Sequence, residues 1–285
     1  HWSITDGMIS VGQKKICSDG SGNLFWADQF AGISIYDIDA EWWSKGIIEF
    51  QEHAQITEIN DIWGDSGVVV VAHTIGLTML EFSAEDDSYL VGWNLNRVGD
   101  FPMQSPILAT ASSLETLVLA TSDGIAWGNG FPTEMQTADF STFPDPAGIS
   151  IITDALIETN EEFVIVSLLG NDNNAAVLSF DGNDWNVEAT DLSSMAMIAA
   201  GPGSWCWIEN VNNQADQFVE CRVHIIGGEQ DGIHVVDQSC SAVCYSSGSY
   251  WLALEPGRQS GGLTKVGADV IHNPDVPGAD EFIDL

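Results

Sequence analysis

The chain has 285 residues, 45% of them hydrophobic, with 42 acidic residues against 7 Lys or Arg and a formal net charge of −35. That hydrophobic share excludes a disordered acidic tail and is enough for a large core. The cations Lys14, Lys15, Lys45, Arg97, Arg222, Arg258 and Lys265 are too few and too scattered to neutralise nucleic-acid phosphates or an anionic lipid surface, so both partners are excluded.

The predicted elements, in chain order, are almost all strands. Gly7-Met8-Ile9-Ser10-Val11 is a first isolated strand. Lys15-Ile16-Cys17 then leads through the turn Ser18-Asp19-Gly20-Ser21-Gly22 into Leu24-Phe25-Trp26-Ala27, and Gly32-Ile33-Ser34-Ile35-Tyr36 follows as a third strand. Gly, Asp and Ser in such turns supply positive φ angles and local side-chain hydrogen bonds, the needs of a tight hairpin. The same succession begins again at Ile59-Asn60-Asp61-Ile62-Trp63, followed by Gly64-Asp65-Ser66-Gly67 and a second apolar strand. Further along, Ala175-Ala176-Val177-Leu178-Ser179 reads as a third strand, and Gly182-Asn183-Asp184-Trp185-Asn186-Val187 as a turn entering a more polar fourth. The last unit opens at Ala242-Val243-Cys244-Tyr245 and turns through Ser246-Ser247-Gly248-Ser249. No segment sustains a 3.6-residue apolar period, and no apolar run approaches the ~20 residues of a membrane-spanning helix.

The second strand recurs six times and ends at positions 27, 72, 120, 167, 208 and 253, spaced by 45, 48, 47, 41 and 45 residues. The copies include Val69-Val70-Val71-Ala72, Leu117-Val118-Leu119-Ala120, Val164-Ile165-Val166-Ser167, Trp205-Cys206-Trp207-Ile208 and Tyr250-Trp251-Leu252-Ala253. A strand-rich repeat of this length is the signature of a β-propeller blade. A β-helix needs a shorter repeat, and a β-sandwich does not repeat one four-strand unit six times. The expected fold is therefore all-β: a six-bladed propeller of four-stranded antiparallel blades. It forms a single domain over residues 1–272, with blades near 13–54, 55–103, 104–149, 150–193, 194–239 and 240–272. The strand 7–11 is expected to complete the sixth blade and close the ring, removing an open sheet edge. Residues 273–285 are expected to be an acidic C-terminal tail. The chain begins at His1 rather than Met, which leaves a removed leader or a trimmed start as the two readings.

Ser179-Phe180-Asp181-Gly182-Asn183-Asp184-Trp185 resembles the Asp-box turn of sialidase-type propellers, Ser-x-Asp-x-Gly-x-Thr-Trp, which lies between third and fourth strands. Here Gly182 comes one residue early and the Thr is missing. Asp37-Ile38-Asp39-Ala40-Glu41-Trp42-Trp43 departs further. The resemblance implies a structural turn and not catalysis. Sialidases also grip a carboxylate with three arginines, and Arg97, Arg222 and Arg258 fall in different blades. Along its whole length the chain resembles propellers in general, of the WD40, kelch and Asp-box types, and no single family.

The five cysteines are Cys17, Cys206, Cys221, Cys240 and Cys244. Cys206 and Cys221 flank the polar loop 210–216, and a hairpin there makes them a candidate cross-strand disulfide, which would mark an oxidising compartment. Cys240 and Cys244 are a weaker second pair, and the alternative is five buried thiols. Cys-x-x-x-Cys without companions is a poor zinc pattern. The histidines are scattered, with His224 and His234 on neighbouring strands. No catalytic motif occurs. No cofactor is expected. Calcium is the one metal considered, at Asp19-Gly20-Ser21-Gly22 or Glu85-Asp86-Asp87, although neither has the spacing of a calcium loop.

Of eleven tryptophans, the adjacent pair Trp42 and Trp43 stands out, because consecutive strand residues point to opposite faces and one of them should be exposed. Together with Trp93, Arg97 and Phe101 of the long loop 94–102, they are the candidate binding residues. The expected function is a non-catalytic binding or assembly module whose partner is a protein or a surface glycan. It would work outside the cell, on a cell surface or on a virion, as part of a larger assembly. The alternative is a secreted carbohydrate-active enzyme, a glycoside hydrolase or lyase, with its site at the propeller axis. The acidic excess has two readings: halophilic solubility in a saline environment, or divalent-cation binding through carboxylates.

Overall fold

The structure is a computed structural model that describes residues 13–28, 32–47, 56–85, 88–113, 116–129, 136, 139–213, 217–255 and 262–266. Among them the strands fall into six antiparallel sheets, each a meander of consecutive strands. The first sheet is β1 (Gln13–Ser18), β2 (Asn23–Asp28), β3 (Ile33–Asp37) and β4 (Trp42–Ile47). The second is β5 (Ile59–Asp65), β6 (Val68–His73), β7 (Gly76–Ser83) and β8 (Ser88–Leu95). The third is β9 (Ile107–Ser113), β10 (Thr116–Thr121), β11 (Gly124–Asn129) and β12 (Phe140–Pro144). The fourth is β13 (Ile152–Thr159), β14 (Val164–Gly170), β15 (Ala175–Phe180) and β16 (Trp185–Leu192). The fifth is β17 (Met197–Gly201), β18 (Ser204–Asn212), β19 (Phe218–Ile226) and β20 (Gly232–Val236). The sixth has three strands among the described residues: β21 (Cys240–Ser246), β22 (Ser249–Leu254) and β23 (Gly262–Lys265). The expected closing strand 7–11 and the tail 273–285 lie outside the described residues.

The sequence pattern explains the order within each sheet. Every residue of β6, β10 and β15 is buried. A strand covered on both faces reads as a continuous apolar run, and Val68-Val69-Val70-Val71-Ala72 is such a run. The fourth strands are different. Half of β16 and most of β20 are exposed.

The chain divides into two compact units, residues 1–154 and 155–285, with the boundary inside β13. In the first unit the core between the first two sheets holds Phe25, Ile33, Ile59, Val69, Val71 and Leu80. The core between the second and third holds Val70, Leu77, Ile107, Leu117, Leu119 and Phe101. Polar side chains link the first strands. Asp61 accepts a hydrogen bond from Thr110 N at 2.9 Å and faces Lys15 Nζ at 3.6 Å, while Asn60 Nδ2 donates to Ile107 O at 2.7 Å. Burial pushes the Asp61 carboxyl up, and the Lys15 charge opposes it.

In the second unit one core, with Ile165, Val177, Ile198, Trp205 and Trp207, lies between the fourth and fifth sheets. Another, with Cys206, Cys221, Val223, Cys240, Tyr250 and Leu252, lies between the fifth and sixth. Asparagines again join neighbouring sheets. Asn160 Nδ2 reaches the carbonyls of Gly201 at 2.6 Å and Ser204 at 3.2 Å, and Asn210 binds Cys240. Buried backbone groups need partners, and a carboxamide that spans two sheets supplies them.

Candidate interaction surface

The fifth sheet carries the most distinctive exposed surface of the described residues. Its register places Trp207 opposite His224 and Glu209 opposite Arg222. It then places His224 opposite Ile233 and Arg222 opposite Val235. Directly opposed residues share a face, so these six side chains form two rows across one side of the sheet. The inner end of that side is core, where Trp207 packs with Trp205 and Ile198. The outer end is open: Ile233 is 64% and Val235 62% exposed, with Ile226 exposed beside them.

His224 stacks on Trp207 with ring centroids 4.3 Å apart and planes 11° from parallel. Glu209 Oε2 stands 3.8 Å from His224 Nε2, and Arg222 pairs with Glu220 at 2.6 Å. Burial lowers the His224 pKa from 6.5; the Glu209 charge opposes that shift, and the Arg222 charge adds to it. The imidazole is therefore neutral at pH 7, and the face presents an aromatic and apolar strip bordered by charge. Among the described residues β20 is the outermost strand of its sheet, so the strip adjoins a sheet edge, the kind of edge that can template another chain.

The sequence-predicted residues are placed differently. Trp42 is 66% exposed and Trp43 only 4%, as alternation along β4 requires. Trp43 packs on Tyr36 at 5.1 Å and Trp26 at 6.0 Å. Trp93 is half-buried against the core of the second and third sheets. Phe101 is 5% exposed. Its loop folds inward, with Phe101 N donating to Val98 O at 3.1 Å and Arg97 Nε donating to Phe101 O at 3.2 Å. The ring fills the space above Gly124, where a Cβ would lie 2.8 Å from Phe101 Cζ and 2.5 Å from Phe143 O. Only Gly fits there, and its φ of 143° suits Gly alone. These five residues are not brought together as one site.

Cys206 and Cys221 are also kept apart. Cys206 lies opposite Ile225 and Cys221 opposite Asn210. This four-residue offset is about 13 Å along the strands, and a disulfide requires Cα atoms within about 7 Å. Cys240 and Cys244 are separate too, the first buried and the second exposed.

The turn at Asp19 is saturated without a metal. Its carboxylate accepts hydrogen bonds from Ser21 N and Oγ, from Asn23 N and Nδ2, and from the Tyr89 hydroxyl. Burial works to raise its pKa, but the bonds from Ser21, Tyr89 and Asn23 outweigh it and hold the carboxyl down at about 2. Asp86 and Asp87 of the other calcium candidate lie outside the described residues. Among the described residues no cluster of three or more His, Cys, Asp or Glu side chains could hold a metal. Asp181 joins β15 to β16 by accepting from Asn183 N and Asp184 N, both at 2.9 Å, and Phe180 stacks on Trp185 at 4.9 Å. This is a structural Asx turn at the position of the Asp-box resemblance. His234 Nε2 is 2.9 Å from Gln230 O, and His234 lies opposite Val223, on the other face from His224. No helix among the described residues is long and apolar enough to cross a membrane.

No protein-family model matches the chain, and no curated protein matches its sequence. Solved structures match its fold. The β-propeller domain of Myceliophteria thermophila Cps50 (Swd1) is similar at a TM-score of 0.60 and 10% identity, over 89% of this chain and 84% of that one. A chain of the mitotic checkpoint complex is similar at 0.60 and 13%, over 89% and 76%. Saccharomyces cerevisiae Sqt1 is similar at 0.56 and 11%, over 87% and 68%. The chain is thus an all-β protein of the β-propeller class, and its sheets fit six blades. At these identities the likeness is one of fold alone.

Proposed function

We propose that this protein is a non-catalytic binding and assembly module that docks a protein partner on the outer face of its fifth sheet. The carrying observation is the exposure of Ile233 and Val235 on a strand that is outermost in its sheet among the described residues, next to the Trp207–His224 stack. Apolar side chains held in water at a sheet edge favour an extended partner segment, which adds backbone hydrogen bonds while alternate side chains fill the strip. The net charge of −35 favours a partner segment that carries Lys or Arg. Propellers of similar fold include a chain of the mitotic checkpoint complex, which supports an assembly role for such a scaffold. The setting we propose is extracellular, on a cell surface or a virion in saline surroundings, where a large acidic excess keeps a protein soluble as salt screens its self-repulsion.

The test is to isolate the protein from its native source as wild type and as the Ile233→Asp/Val235→Asp double variant. Both positions are exposed, so the variant should keep its far-ultraviolet circular dichroism. Loss of a companion polypeptide from the variant is the expected result. An unchanged set of companions, or companions exchanged for glycans on a glycan array, overturns the assignment.

A further inference from the structure

We propose that Cys221 and Cys240 form a disulfide that ties the fifth sheet to the sixth. The two sulfurs lie 3.1 Å apart, and both residues are almost fully buried. Cys221 sits in β19, Cys240 begins β21, and the bond would bridge the core between their sheets.

The approach is built by a third residue. Asn210 lies directly opposite Cys221 in the β18–β19 register. Its carboxamide grips the backbone of Cys240 at two points: Nδ2 donates to Cys240 O at 2.8 Å, and Oδ1 accepts from Cys240 N at 3.1 Å. The grip holds Cys240 beside the strand pair that carries Cys221. Closing the remaining gap to about 2.05 Å takes a sulfur movement of roughly 1 Å, within reach of side-chain rotation.

The chemistry balances with a small-molecule disulfide as oxidant. During folding, before the core buries the pair, the Cys221 thiolate attacks one sulfur of the oxidant, forms a mixed disulfide and expels one thiolate; the order with Cys240 first balances equally. The Cys240 thiolate then attacks the Cys221 sulfur and expels the second. The pair gives up two protons and two electrons, and the oxidant leaves as two thiols. The hydrogen bond with Cys240 holds the Cys221 thiol down, while the same bond and burial push Cys240 up. Cys206 shares the core but lacks this arrangement, and burial pushes its thiol up to about 12. The bond would close a loop between residues 19 apart in sequence, constraining the unfolded chain across two sheets.

The test uses the whole purified chain, once folded and once refolded, in oxidised and in reduced glutathione. Free thiols are blocked with N-ethylmaleimide in denaturant, so that buried ones react, and the linkage is read by peptide mass mapping. The expected result is one intramolecular link, Cys221 to Cys240, with Cys17, Cys206 and Cys244 alkylated. Melting temperature should rise in the oxidised form by about 5 °C or more. Cys221→Ala should lose both the link and the rise. Alkylation of Cys221 and Cys240 after oxidative refolding overturns the proposal. So does a link through Cys17, Cys206 or Cys244, or a rise that survives in Cys221→Ala.

Discussion

The Tyr89 hydroxyl donates a hydrogen bond to the Asp19 carboxylate, joining the fourth strand of the second sheet to the first turn of the first. The Tyr89 ring lies edge-on to Phe25 at 4.7 Å, so one side chain seals the apolar core and satisfies a buried charge. Loss of either partner strands the other. Tyr89→Phe should cost about 1–3 kcal/mol and Asp19→Asn about 2–4 kcal/mol, because the amide cannot accept from all five donors. A double-mutant cycle read by denaturant unfolding should give a coupling of about 1 kcal/mol or more.

The same carboxylate gives an acid limit. Its folded pKa of about 2 lies below the ordinary 3.8. The unfolded chain therefore takes up this proton first as pH falls. The stabilisation is full above about pH 3.8 and is lost as pH falls through 2. Stability measured across that window should drop less in Asp19→Asn than in wild type.

His224 acts in the opposite range. Its folded value lies below 6.5, so the unfolded chain binds this proton first on acidification. Stability from the neutral stack on Trp207 is whole above pH 6.5 and falls as pH drops below it. Between roughly pH 7.5 and 5.5 the wild type should lose stability relative to His224→Phe, which keeps an aromatic ring there and does not titrate. Equal pH slopes would contradict the desolvated imidazole.

Trp42 and Trp43 should part company on truncation. Trp43→Ala should cost about 3–5 kcal/mol because it empties a buried site against Tyr36 and Trp26. Trp42→Ala should cost less than about 0.5 kcal/mol. Paired urea titrations separate the two.

The acidic excess makes a prediction about salt. With 42 acidic and 7 basic residues, self-repulsion should be long-ranged at low ionic strength. Dilution from about 1 M to 0.01 M salt extends the screening length from roughly 3 Å to 30 Å. Melting temperature should fall on dilution, alike for sodium and potassium chloride, and a chelator at constant ionic strength should leave it unchanged. A chelator-induced fall would favour bound divalent cations instead.

Much of the fold was legible because second strands such as Val69-Val70-Val71-Ala72 are covered on both faces, which leaves an apolar block at each repeat. Asp19 and Asp181 were legible as turn residues, since short acidic side chains cap their own backbone. The contact surface was not legible. Trp43, Phe101 and Trp93 are large and aromatic, but their exposure depends on register and on loop folding that residue type does not report. Gly232-Ile233-His234-Val235-Val236 reads as any strand; it becomes a surface only once β20 is known to be outermost in its sheet among the described residues. The Cys221–Cys240 approach was hidden for a similar reason. Hairpin reasoning looks across one sheet, and this contact crosses between two.

Docking of a protein on the open outer end of the fifth sheet can be read in the native setting. Photo-crosslinking in the native setting tests it most directly, with a diazirine side chain at position 233 or 235 and a control at exposed position 183. Covalent capture of another polypeptide from 233 and 235, and none from 183, is the expected result. Equal capture from all three positions, or capture from none, contradicts it.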